Sequence, residues 1–111
     1  MLGLVFYQTA RGNCPVREFI NALDGDARAR VLEGLVSFRE EFPRITTVDC
    51  RSLGTGLHEI RVRDLRGRQH RVVYSIVGGN LLVLHAFTKK TRKTPDTVLA
   101  LARRRLREMT T

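Results

Sequence analysis

Apolar and polar positions change period along this chain, and the changes mark its elements. Leu2 to Gln8 is apolar and β-prone and reads as a first strand. Thr9 to Cys14 carries loop chemistry, and Pro15 suits the first position of a short helix running through Leu23. Asp24-Gly25-Asp26 breaks that helix. Ala27, Val31, Leu35, Phe38 and Phe42 then recur at spacings of four, four, three and four, one stripe of a second helix that ends before Pro43. Arg44 to Gly56 has weaker periodicity and two glycines at its end, and reads as a connection.

From Leu57 the period becomes two. Within Leu57 to Leu65, Ile60 and Val62 share one parity while Glu59, Arg61 and Arg63 share the other, so this strand has an apolar face and a charged face. Arg66-Gly67 makes a turn, Arg71 to Val77 the next strand, and Gly78-Gly79-Asn80 a second hairpin turn. Leu81 to Phe87 is almost continuously apolar and should be an interior strand. Thr94-Pro95-Asp96 supplies a cap, a first-turn proline and an early carboxylate. The helix it opens spaces Leu99, Ala102, Leu106 and Met109 by three, four and three. The expected architecture is α+β, one domain over residues 1–111 in the order β-α-α-β-β-β-α. It has a small, mainly antiparallel sheet, two N-terminal helices and a C-terminal helix.

Charge narrows the partners. Lys+Arg is 20 against Asp+Glu 11, a formal net charge of +9 in 111 residues. Such a chain attracts polyanions, which fits a nucleic acid, a ribosomal site or an anionic membrane surface. No stretch approaches the ~20 apolar residues that span a bilayer, and no membrane partner is expected. MLGLVFYQT also lacks a basic leader and a small-residue cleavage site, so the expected location is cytoplasmic. Cys14 and Cys50 lack a C-x-x-C spacing and the histidines are scattered at His58, His70 and His85. Reduced thiols, no metal site and no cofactor are therefore expected.

Guanidinium groups on strands fork onto phosphate while the strand holds them in place, which points to RNA. Arg71 lies inside a β-prone run beside Val73 and Ser75 and reads as a phosphate contact or a solvent-facing arginine. Arg61 has the same two readings, with a pair to Glu59 as the plain alternative. Arg63 reads as a solvated strand residue or an RNA contact. Lys89, Lys90 and Arg92 precede a helix N-terminus, whose N-H groups add positive potential, and read as RNA contacts; Lys93 reads as solvated. His85 interrupts LLVLHAF either as a proton-exchanging group or as a hydrogen-bonded core residue. Tyr74 falls on the opposite side of an ideal strand from Arg71 and should pack in the core unless a bulge re-aims it.

The blocks LHEIR, HRVVY and LLVLHAFTKKTRKTP, followed by the alanine- and arginine-containing final helix, resemble the RelE/ParE toxin superfamily. They resemble in particular its HigB-like, phage-derived branch. The resemblance follows the element order of nearly the whole chain, and its specific part is Leu57 to Pro95. It implies a RelE-like fold and a toxin of a type II toxin-antitoxin pair. Such a toxin cuts messenger RNA, commonly on the ribosome, and is silenced by a helix-turn-helix antitoxin encoded beside it. The superfamily also holds gyrase poisons, so a non-catalytic basic module that binds nucleic acid or protein is the alternative. The basic cleft of the family falls on Arg61, Arg71 and the Lys89-Lys90 pair. Where the best-known ribosome-dependent members carry a lysine, this chain has Glu59, either catalytic or orienting Arg61. Arg103, Arg104, Arg105 and Arg107 read as solvated or as antitoxin contacts.

Cleavage of this kind uses the 2′-OH of the RNA as nucleophile, so the protein must accept a proton, stabilise the phosphorane and help the 5′-oxygen leave. The expected product is a 2′,3′-cyclic phosphate. Arg71, Arg61, Glu59 and His85 are the residues to which this chemistry would fall. On the sequence alone, Arg71→Ala should abolish cleavage and leave the fold intact.

Overall fold

In the computed structural model, which describes residues 1–111, the apolar N-terminal run forms β1 (Gly3–Phe6), followed by helices α1 (Pro15–Ala22) and α2 (Gly25–Glu41). Strands β2 (Asp49–Gly54), β3 (Leu57–Arg63), β4 (Gln69–Val77) and β5 (Asn80–Thr88) come next, then α3 (Asp96–Thr110). The strands form one sheet in the order β1-β5-β4-β3-β2. Only β1 and β5 are parallel. The α+β class, the element order and the interior place of β5 are as expected.

One strand was not. The segment read as a connection contains β2, which pairs antiparallel with β3 at the sheet edge. Only Cys50 and Leu53 of DCRSLG turn inward, and the other four positions are exposed. An edge strand with one hydrogen-bonded neighbour needs no longer apolar run, so its period is too faint to read.

The helices cover the sheet on both sides. Val16 and Ile20 of α1 and Val31, Leu35 and Phe38 of α2 pack on Ile60, Val72, Tyr74, Leu81 and Val83. Tyr74 is thus a core residue. On the other face, Ala102, Leu99, Leu106 and Met109 of α3 meet Leu57, Val73, Leu82 and Leu84. The first helix closes at Leu23, and Asp24 caps the second, its Oδ1 accepting from the Ala27 N-H at 3.0 Å. A β-carbon at Gly34 would sit 3.2 Å from a Val62 methyl, so glycine lets α2 lie close on β3. Gly78 and Gly79 have φ of +58° and +77°, the left-handed pair that a two-residue hairpin turn requires.

A β-bulge sits in the middle of the sheet. Val73 pairs with His85 and the next residue, Tyr74, with Val83, leaving Leu84 as the extra residue. The shift reverses the alternation of β5, so that His85 and Phe87 follow Leu84 on the α3 face.

The β3-β4 turn is locked by one carboxylate. Asp64 Oδ1 accepts from the N-H groups of Arg66 and Arg68, and Oδ2 accepts from Arg68 Nε at 2.7 Å. His70 Nε2 lies 2.8 Å from Oδ2, and its Nδ1 lies 3.0 Å from the Thr88 hydroxyl. Since a carboxylate only accepts, His70 donates to it through Nε2, and the Thr88 hydroxyl pairs with Nδ1. Burial pushes the Asp64 carboxyl up, but the bonds from His70 and Arg68 outweigh it and hold it well below the usual carboxylate range. Its contribution to stability is therefore fully present above the unfolded value of about 3.9, and is lost as pH falls through the depressed folded value. Asp64→Asn is expected to lower the melting temperature at neutral pH and to flatten the acid limb below about pH 4, read by thermal unfolding across pH.

Candidate functional site

Three strands bring the charged residues onto one grid. On the α3 face, Glu59, Val73 and His85 form one cross-strand row, and Arg61, Arg71 and Phe87 the next. Arg63 pairs with Gln69, and the Lys89 N-H bonds the Gln69 carbonyl at 2.8 Å, which makes a third row. Strand spacing makes this patch about 10 Å across and about 13 Å along.

Its centre is a sealed carboxylate. Glu59 is wholly buried, Oε2 accepting from Arg61 Nε at 2.7 Å and Oε1 from the Thr94 hydroxyl at 2.6 Å. Arg71 Nε lies 3.6 Å from the same Oε2. An unpaired carboxylate buried this far would be strongly disfavoured, so two cations and a hydroxyl are what permit it there.

Arg71 differs from its expected form. It is 1% exposed, and every nitrogen is engaged: Nε with Gln69 Oε1, Nη1 with the Thr94 hydroxyl and Nη2 with the Arg92 carbonyl, at 3.0 to 3.1 Å. It clamps the basic loop between β5 and α3 onto the sheet. This burial argues against the expectation that Arg71→Ala leaves the fold intact, since that change would strip a buried carboxylate and a loop of one partner each. Thr94 also departs from expectation. The helix cap position is Pro95, with no side-chain cap bond, and Thr94 turns inward to bridge Arg71 and Glu59.

Arg61 is the accessible member. Its side chain is 22% exposed, and it donates within the protein only through Nε, to Glu59. Both Nη groups of the fork remain free. Arg61 also lines a groove of about 210 Å³ between α2 and β3, with Arg30, Ser37, Thr47 and Arg63. Arg63 is exposed and bonds the Gly67 carbonyl. Lys90 and Arg92 are exposed and Lys89 half-buried, all three on the loop above the grid.

His85 stands apart from the carboxylate cluster. Val73 separates it from Glu59 in the row, and its neighbours are the Phe87 ring and Arg105. Burial, and then the Arg105 charge, hold its imidazole below the ordinary value, so it is neutral at pH 7. Arg105 is therefore not a merely solvated arginine of the final helix. It stacks over the Tyr7 ring, whose hydroxyl donates to Glu108. No three His, Cys, Asp or Glu side chains converge as a metal ion would need.

Thr94, Gln69, Phe87 and Arg105 escaped the sequence reading. The first resembled a cap, and Arg105 is one of four arginines in a five-residue stretch, with only its i−3 and i+1 relation to Ala102 and Leu106 to single it out.

A family model described as Phage derived protein Gp49-like (DUF891) matches residues 18–107, and the chain belongs to this RelE/ParE-like toxin family. No curated protein matches it significantly. No helix is long and apolar enough to cross a membrane.

Proposed function

We propose that the protein is the toxin of a type II toxin-antitoxin pair, of the HigB-like branch, and that it is an endoribonuclease. It cuts messenger RNA on the ribosome through attack of a 2′-OH on the adjacent phosphate. The observation that carries this reading is Arg61, fixed through Nε by a buried carboxylate and keeping its two Nη groups for an outside acceptor. A guanidinium held this way is preorganised for the charge that develops on a phosphorane. Glu59 then orients Arg61, Arg71 braces both, and Lys89, Lys90, Arg92 and Arg63 hold flanking phosphates. Activity in the cytoplasm requires a separate inhibitor, for which we propose a helix-turn-helix antitoxin. Leu32 and Val36, one turn apart on α2 and 43% and 48% exposed, give it an apolar surface away from the grid.

A second reading has its own support. Glu59 and Arg71 are sealed and satisfied, as in a purely structural lock, and that favours a non-catalytic basic module such as a gyrase poison. Brief induction separates the two: the nuclease leaves broken transcripts and intact DNA, whereas the gyrase poison leaves intact transcripts and broken DNA.

A further inference from the structure

The β5 edge of the grid holds two rings that the Arg61 site does not use. The bulge at Leu84 puts His85 and Phe87 on one face, with ring centroids 5.8 Å apart and planes 21° from parallel. Both rings are half-buried, so each is held by packing and still reaches the surface. Lys89 is the next position in the alternation, and Lys90 and Arg92 follow it in the exposed loop. Aromatic rings at alternate strand positions beside a cation are how a sheet stacks unpaired bases and tracks their backbone.

Arg105 sets the chemistry of His85. Its Nη1 donates to the Leu84 carbonyl at 2.8 Å and lies 3.4 Å from His85 Nδ1. A guanidinium has no acceptor, so the Nδ1 that faces it carries a lone pair and the ring proton sits on Nε2. The neutral ring thus offers a π face and one N-H donor. With a net charge of +9 on the chain, the surroundings favour a polyanion over an apolar peptide.

We infer that His85, Phe87 and Lys89 form a nucleobase subsite for single-stranded RNA, in which the two rings stack a base, His85 Nε2-H bonds its edge and Lys89 contacts its phosphate. The inference rests on the RNA reading proposed above. Its test therefore uses an RNA that cannot be cut, a short 2′-O-methyl oligoribonucleotide lacking the nucleophile, with binding measured at several salt concentrations and the rings followed by NMR.

The His85 and Phe87 ring resonances are expected to shift on titration, with His85 in the Nε2-H tautomer. Phe87→Leu, which keeps the apolar volume and removes the π face, is expected to weaken binding about tenfold with the salt slope unchanged. Lys89→Ala is expected to lower that slope by about 0.7. Binding with unmoved rings, or a Phe87→Leu variant that binds like wild type, would overturn the subsite and leave the RNA reading standing. Absence of any binding by the wild type would also overturn the subsite, and the nuclease reading would then stand or fall on its cleavage products alone. Should Phe87→Leu fail to fold, the wild-type ring shifts decide alone.

Discussion

Arg61→Ala is expected to slow RNA cleavage about a hundredfold, because loss of one preorganised charge contact to a transition state costs about 3 kcal/mol. The expectation follows from what Arg61 does with its donors. Nε is committed to Glu59 and the Nη groups are not. Arg61→Lys should recover little, since an ammonium cannot hold the Glu59 bond and fork onto a phosphate together. Glu59 retains Thr94 and Arg71 but loses its closest cation, so cleavage has to be judged at equal folded fraction. The measurement is single-turnover cleavage, with growth inhibition at matched expression beside it. A fully active alanine variant would reduce Arg61 to a counter-ion of Glu59.

Arg71→Ala should act on stability first. Removing one partner of a buried ion pair typically costs ~3–5 kcal/mol, roughly a fifth or more of the ~5–15 kcal/mol that holds a small domain together. Here it also releases the Thr94 hydroxyl and the Arg92 carbonyl, so the basic loop loses its clamp. Urea unfolding should show a lower midpoint, and any loss of activity would have to be judged at equal folded fraction. Arg71→Lys cannot serve three acceptors in one plane and should rescue poorly. An unchanged midpoint would mean that the clamp seen in the structure contributes nothing.

The contrast between these two arginines marks where sequence reading stops. Parity put Glu59, Arg61 and Arg63 on one face of their strand because they lie in an uninterrupted period-two run, and the sheet sets Arg71 beside them as the cross-strand partner of Arg61. Parity says nothing of depth. Arg61 and Arg71 are cross-strand partners with the same pattern, and only the loop that returns over β4 buries one and spares the other. His85 shows a second limit, since strict alternation would set it with Leu81 and Val83, and a bulge at Leu84 moves it to the other face. Such a bulge leaves no mark in a run as uniformly apolar as LLVLHAF. β2 fell below detection for the opposite reason, having too little apolar character to show a period.

If this site cuts RNA through the 2′-OH, the chemistry of the cut ends will show it. RNA taken shortly after induction of the wild type and of Arg61→Ala would be ligated by methods selective for each kind of terminus. New 2′,3′-cyclic phosphate and 5′-hydroxyl ends are expected within messenger RNA for the wild type, and their loss in the variant. Intact transcripts in growth-arrested cells, or fragments ending in 3′-hydroxyl and 5′-phosphate, would contradict it.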